Sequence, residues 1–215
     1  MKNMLFIMNP KAGRTTLKNS LVDVLEVFCN NDYAVRTYLT KSADDAERIV
    51  QEEGANYDVI VCAGGDGTLG NTVTGYMKSG IRVPLGYIPC GSTNDFARSM
   101  DIPRETVEAA EMIVKAEPFS IDIGSLNDKN FVYVAAFGMF SDTSYATPQN
   151  MKNIFGHAAY VLQGIKSLAN VPSYKMKVTI DGDEQEGEFI FGMVSNSVSV
   201  GGFKSITRKG VEFDD

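Results

Sequence analysis

Apolar and polar positions alternate in a regular rhythm over the first half of the chain. Met4 to Met8 is a run of five apolar residues that enters a Pro-Gly loop; it predicts a short buried strand at residues 5–8 rather than a secretory signal. From Thr15 onward, Leu17, Leu21, Val24, Leu25 and Phe28 recur at helical spacing. AVRTYLT (34–40) alternates over part of its length and predicts a second strand. Ser42 to Glu53 reads as an amphipathic helix, with Ser42 as N-cap and Asp45 in the place of the usual capping Glu. VIVCA (59–63) predicts a third strand and Leu69 to Met77 a third helix. VPLGYIP (83–89) predicts a fourth strand, and Pro103 to Ala116 a further helix. Strands alternating with helices imply an α/β fold with a doubly wound parallel sheet over residues 1–119.

Near Phe119 the rhythm changes. SIDIGSLND (120–128), NFVYVAAFG (130–138), KMKVTIDGD (175–183) and EFIFGMVSNS (188–197) read as strands, with hairpin signals at Asn127-Asp128 and Asp181-Gly182-Asp183. A helical stretch over 153–169 interrupts them. Its apolar stripe, which includes Ile154, Phe155, Val161 and Leu162, is expected in a core, with a lipid-facing wall as the alternative. The second domain, residues 120–215, is therefore expected to be a mostly antiparallel β-sandwich. With an open edge and no closing element before residue 215, it is expected to be incomplete at its C-terminus.

A hydrophobic content of 44% in 215 residues supports a sizeable core, and no run approaches the ~18 apolar residues of a membrane span. The net charge of −7 argues against nucleic-acid binding and against purely electrostatic docking to anionic membranes. Lys152, Lys166, Lys175, Lys177, Lys204, Arg208 and Lys209 concentrate basic charge in the second domain, as solvated faces or as a patch for anionic head groups. Cys29, Cys62 and Cys90 are far apart and form no CxxC, so they read as buried, reduced thiols of a cytosolic protein. His157, the only histidine, falls in the helical stretch and reads as an ordinary helical residue rather than a ligand.

Three loops could carry chemistry: Asn9-Pro10-Lys11-Ala12-Gly13, Gly64-Gly65-Asp66-Gly67-Thr68 and Pro89-Cys90-Gly91-Ser92-Thr93-Asn94-Asp95. Each follows a predicted strand, and open α/β sheets bind ligands beyond the carboxyl ends of their strands. Glycines let backbone approach a phosphate, and helix N-termini offer N–H groups to it. Thr68, Ser92 and Thr93 add hydroxyl donors. Asp66 and Asp95 would repel a phosphate directly, but they make sense with Mg²⁺ between carboxylate and phosphate. GGDGT is neither a Walker A loop nor a GxGxxG fingerprint. The three loops in this order point to an anionic nucleotide site.

NPKAG, GGDGTLG and PCGSTNDFARSMDIP, in this order and spacing, resemble the diacylglycerol kinase catalytic-domain family, especially its soluble bacterial lipid kinases. More distantly the chain looks like sphingosine, ceramide and NAD kinases and phosphofructokinases. The likeness continues through IDIG, YVAAFG and SNSVSVGGFK. It implies transfer of the γ-phosphoryl group of ATP, with Mg²⁺, to the hydroxyl of a lipid such as diacylglycerol, in a cleft between the two domains. It also implies a cytoplasmic protein in peripheral, transient contact with the inner face of the membrane, with a homodimer left open. By the same resemblance, Asn9, Pro10, Lys11, Ala12, Gly13, Thr40, Gly65, Asp66, Gly67, Thr68, Leu69, Gly70, Asn71 and Thr93 would contact the nucleotide. Asp66 and Asp95 would form the catalytic Mg²⁺ network, and Phe213-Asp214-Asp215 looks similar to the turn beside a structural Mg²⁺. Two departures stand out: Gly70-Asn71 replaces the family's Asn-Glu, and the family's general base lies in a segment expected after Asp215. The alternatives are a kinase of a soluble acceptor such as NAD, and a non-catalytic nucleotide-binding regulator.

Overall fold

The structure is a computed structural model that describes residues 1–12, 16–127, 129–138, 173–197, 199–200 and 203–204. In strand β1 (Lys2–Met8), Met4, Phe6 and Met8 face one layer of the core while Leu5 and Ile7 face the other. A strand buried on both faces needs apolar residues at every position, so a continuous run marks it. Strand β3 (Val59–Gly64) is built the same way and is buried throughout. With β2 (Tyr33–Leu39) and β4 (Leu85–Pro89) they form a four-stranded, all-parallel sheet in the order β2-β1-β3-β4.

Helix α1 (Thr16–Asn30) sets Leu17, Val24 and Phe28 against Met4, Phe6 and Met8, and α5 (Thr106–Lys115) adds Ala109 and Ala110 to the same layer. On the other face, α2 (Asp45–Glu53) packs Ala46, Ile49 and Val50 against Leu5, Ile7 and Ile60. Beside them α3 (Asp66–Ser79) and α4 (Asp95–Ser99) place Leu69, Val73, Phe96 and Ala97 around Cys62 and Tyr87. Fully buried side chains such as Leu5, Phe6 and Ile7 contribute roughly 1.5–3 kcal/mol each. The doubly wound arrangement expected from the sequence is the one that forms.

Helix boundaries differ from the pattern in instructive ways. Helix α2 begins at Asp45, so Ser42 is not its N-cap. The Asp45 carboxylate accepts the N–H groups of Lys41 (2.6 Å) and Ser42 (3.3 Å), tying an irregular turn ahead of the helix. Helix α3 starts at Asp66 rather than Leu69, with Gly65 as N-cap and the N–H groups of Thr68 and Leu69 both donating to the Gly65 carbonyl. Three of the five residues of the expected GGDGT loop therefore belong to the first turn of a helix. Helix α5 begins after Glu105, whose carboxylate accepts from the N–H groups of Val107 (2.8 Å) and Glu108 (2.9 Å).

Beyond α5, β5 (Gly124–Leu126) and β6 (Lys129–Phe131) form an antiparallel pair that Asn127 leaves at φ +52°. β7 (Val134–Gly138) pairs with β10 (Phe191–Ser195), and β8 (Tyr174–Ile180) pairs antiparallel with β9 (Asp183–Phe189). The β8–β9 turn uses Asp181 (φ +51°) and Gly182 (φ +93°), the two left-handed positions that a type I′ hairpin requires. A last antiparallel pair joins β11 (Ser199–Val200) to β12 (Phe203–Lys204). The segments 130–138 and 188–197, expected as single strands, are broken at Val132-Tyr133 and at Ile190. The chain divides into two compact units, Met1–Tyr133 with Ser195 onward, and Val134–Val194. All four parallel strands and all five described α-helices lie in the first.

The helical stretch over 153–169, His157, Lys152, Lys166, Arg208 and Lys209 lie outside the described residues. Lys175 and Lys177 pair across the hairpin with Glu188 (3.5 Å) and Glu184 (2.7 Å), so their charge is matched locally rather than pooled in a basic patch. Cys62 and Cys90 are buried, but Cys29 is exposed, which corrects the expectation of three buried thiols. It lies in the last turn of α1, on the side away from the sheet that Phe28 packs against. Among the described residues no helix is long and apolar enough to cross a membrane.

Candidate functional site

The four parallel strands end at one level: Met8 lies opposite both Leu39 and Ala63, and Gly64 lies opposite Pro89. The loops after them therefore leave from the same edge. In the order β2-β1-β3-β4 the winding reverses between β1 and β3. A doubly wound sheet opens its ligand crevice at such a switch point, beyond the strand carboxyl ends. The loops after β1 and β3 flank it.

Asn9 organises the first loop. Its N–H donates to Ala63 O (3.0 Å), its Oδ1 accepts the Lys11 N–H (2.9 Å), and its carbonyl accepts the Ala12 N–H (3.1 Å). This is a side-chain turn in which the Asn oxygen stands in for a backbone acceptor. Its Nδ2 then donates to Thr68 Oγ1 at 3.0 Å, joining the loop to the first turn of α3. Pro10 and Ala12 are half-buried, Lys11 is exposed, and Gly13 lies outside the described residues. Thr40, just past β2, is buried and donates its N–H to Met8 O at 2.9 Å. Asn71 Nδ2 donates to Ala43 O at 2.7 Å and links α3 to the loop after β2.

The second and third loops touch through glycines. A Cβ on Gly91 would stand 2.6 Å from Gly65 Cα, and a Cβ on Gly65 would stand 3.2 Å from Gly91 Cα. Gly67 and Gly70 are different: nothing lies within 4 Å of where a Cβ would be. Packing does not ask for glycine at either position, and each costs a helix roughly 0.5–1 kcal/mol relative to Ala. They sit three residues apart on one face, so the N-terminal end of α3 presents bare backbone beside Thr68 and Leu69, the latter buried.

In the third loop Asn94 adopts left-handed backbone (φ +53°) and clasps Gly91, accepting its N–H at 2.8 Å and donating to its carbonyl at 2.9 Å. Ser92 is exposed and Thr93 half-buried. Cys90 N–H donates to Gly64 O at 2.7 Å, and the Tyr87 hydroxyl lies 3.1 Å from that same oxygen and 3.4 Å from Asn94 Oδ1. The sequence places Asn94 in the third loop without a role of its own, and Tyr87 is no candidate there. The one available signal was a phenol inside an apolar strand, which needs a polar partner when buried.

Asp66 and Asp95 are brought together. The Asp66 carboxylate accepts the N–H groups of Asp95 (3.2 Å) and Phe96 (3.2 Å), at the start of α4. Burial raises its pKa above the usual carboxylate value; these N–H groups oppose the shift and the Asp95 charge adds to it. The Asp95 charge so close to the Asp66 carboxylate disfavours ionisation of Asp66, a penalty that a divalent cation there would relieve. Among the described residues no cluster of three or more His, Cys, Asp or Glu side chains could hold a metal. A pair of carboxylates, with phosphates and water completing the shell, is the pattern that suits Mg²⁺. Asp214 and Asp215 lie outside the described residues.

The sequence pattern of the diacylglycerol kinase catalytic domain matches residues 3–126, from β1 to β5. The chain is 36% identical over 208 residues to a diacylglycerol kinase of Bacillus subtilis, covering 96% of this chain and 69% of that protein. It is 34% identical over 209 residues to a diacylglycerol kinase of Staphylococcus aureus, covering 95% of this chain and 65% of that one. It thus spans about two thirds of the length of these relatives. A solved structure of a diacylglycerol kinase from Bacillus anthracis superimposes with a TM-score of 0.77 at 29% identity, over 95% of this chain and 67% of that one. Another structure from that organism gives 0.81 at 31% identity, over 95% and 68%. On a match to more than half of its length and on these relatives, the chain belongs to the diacylglycerol kinase catalytic domain family.

Proposed function

We propose that this chain transfers the γ-phosphoryl group of ATP, with Mg²⁺, to the hydroxyl of a lipid such as diacylglycerol. The observation that carries the reading is the bare start of α3 beyond the β1/β3 switch point, where a Cβ on Gly67 or Gly70 would meet nothing within 4 Å. In the reaction the acceptor oxygen bonds to the γ-phosphorus, the bond to the bridging oxygen breaks, ADP leaves, and the hydroxyl proton passes to a base. Such transfer is catalysed mainly by positioning and by neutralising charge.

The residues present fit those tasks. The N-terminus of the 14-residue helix α3 offers its bare backbone at Gly67 and the positive end of its dipole to phosphate oxygens. Thr68 Oγ1 accepts from Asn9 and so keeps its own proton to donate. The Asn9 turn, Lys11 and Thr40 would hold the nucleotide on the β1 and β2 side, and Thr93 on the β4 side. Asp66 and Asp95 would hold Mg²⁺, which supplies neutralisation of the phosphate charge. We further propose that residues 1–119 carry the nucleotide site and residues 120–215 the acceptor site. Contact with the inner face of the membrane would be peripheral, and a homodimer is compatible with the reading.

The test is incubation of the purified protein with γ-labelled ATP and Mg²⁺, with diacylglycerol in mixed micelles or with NAD. Label in phosphatidic acid supports the proposal, whereas label on NAD alone, or on neither acceptor, overturns it. Asp66→Ala should abolish transfer; an unchanged rate would be incompatible with the role given to Asp66.

A further inference from the structure

Helix α4 is five residues long, roughly 7.5 Å, far below the ~12–15 residues at which an isolated helix becomes marginally stable. Tertiary contacts hold it: Phe96 and Ala97 pack into the core around Cys62 and Tyr87, and hydrogen bonds grip both of its ends. At the N-terminal end the grip is the Asp66 carboxylate on the N–H groups of Asp95 and Phe96. At the C-terminal end, Ser99 Oγ donates to Asp95 O at 3.0 Å and lies 2.6 Å from Ser197 Oγ. A serine hydroxyl carries one proton. With the Ser99 proton on Asp95 O, Ser197 is the donor of the pair, and the hydroxyls form a relay from Ser197 through Ser99 to the Asp95 carbonyl.

Ser197 is fully buried and its segment is anchored. The N–H of Asn196 donates to Tyr133 O at 2.8 Å, and its Nδ2 donates to Asp122 O at 2.7 Å. Ser195 Oγ lies 2.9 Å from Ser197 O and 3.3 Å from Tyr133 O. Three consecutive residues thus hold the 121–123 stretch, Tyr133 and α4, and the last reaches a helix 98 positions earlier in the chain.

We propose that Ser197, acting through Ser99, is a positioning residue for the Asp66–Asp95 pair. The relay fixes the C-terminal end of α4, so that the N–H groups at its other end stay on the Asp66 carboxylate. Its effect on catalysis rests on the kinase reading above; the positioning itself does not.

The experiment compares the full chain with Ser197→Ala, Ser99→Ala, the double variant and Ser99→Thr, by amide hydrogen exchange and by steady-state lipid kinase kinetics. Loss of one hydrogen bond in the relay should speed exchange at the Asp95 and Phe96 amides about three- to tenfold, with β1 and β3 amides unchanged. It should lower kcat by a similar factor at constant KM for ATP. The double variant should lose no more than either single one, and Ser99→Thr, which keeps a hydroxyl, should restore both readouts. Wild-type exchange at Asp95 and Phe96 in Ser99→Ala overturns the proposal. So does acceleration spread evenly over the core, which would mark a merely structural contact. If Ser197→Ala does not fold, Ser99→Ala reads the same pair from a half-buried position. If the wild type labels no lipid, the kinase reading falls, while amide exchange still decides the positioning.

Discussion

Asn9 donates through Nδ2 to Thr68 Oγ1 across 3.0 Å, joining residues 59 positions apart on either side of the β1/β3 switch point. Asn9 Oδ1 and its carbonyl shape its own loop and its N–H ties the loop to Ala63 O at the end of β3, while the Nδ2 bond carries the link on to α3. Thr68→Val keeps the shape and removes both acceptor and donor. It should lower unfolding free energy by about 0.5–1.5 kcal/mol in urea titrations. It should also weaken ATP binding by a larger factor than the stability loss alone explains. Wild-type ATP affinity in this variant would remove Thr68 from the nucleotide site.

The glycines divide into two classes that a single pair of variants separates. Gly91→Ala drives a Cβ to 2.6 Å from Gly65 Cα, backbone against backbone, and should destabilise by about 1–3 kcal/mol. Gly67→Ala meets no protein atom and should leave the melting temperature unchanged or raise it slightly. If phosphate lies against this turn, the same methyl should weaken ATP binding about tenfold or more, a loss of over ~1.4 kcal/mol. A Gly67→Ala protein of wild-type stability and wild-type ATP affinity would place the phosphates elsewhere.

Burial divides the thiols as sharply. Cys62 and Cys90 are pushed up to about 12 by burial, while Cys29 is exposed. Thiolate is the reactive form, so the folded protein should give one fast-reacting thiol to a disulfide reagent near pH 8 and three after denaturation. Cys29→Ser should remove the fast phase entirely. Rapid modification of all three thiols in the folded state would mean that the sheet opens beside the β3 and β4 loops.

What could be read from the sequence was what is local. The runs in β1 and β3 announce strands buried on both faces, and Asp181-Gly182 announces its hairpin, because each signal lies within a few residues. β9 was only partly visible, since DEQEGEF is exposed and polar along nearly all its length. The start of α3 was misplaced because glycines that read as a loop are the first turn of a helix. Helix α4 could not be read at all: its supports, Asp66 and Ser197, lie 29 and 98 positions away from the residues they hold. The site loops were legible as motifs, but their linkage through Asn9, Tyr87 and Asn94 is a product of sheet order.

Asp66 and Asp45 should give stability opposite dependences on pH. Burial raises the Asp66 pKa above 3.8, so the folded state binds more protons than the unfolded chain between the two values. Its contribution is present below the unfolded value and is lost as pH rises through the folded one. Asp45 is lowered from 3.8, chiefly by the Lys41 N–H, with the Arg48 side chain assisting. Its contribution is present above the unfolded value and is lost as pH falls through the folded one. Urea unfolding from about pH 3 to about pH 7 should therefore show Asp66→Asn gaining on the wild type as pH rises, and Asp45→Asn losing ground. The Asp66→Asn curve starts lower, because an amide presents only one acceptor oxygen to the two N–H groups of α4. Parallel curves for Asp66→Asn and wild type would show that burial does not disfavour the charge on Asp66, and would remove the electrostatic ground for a cation there.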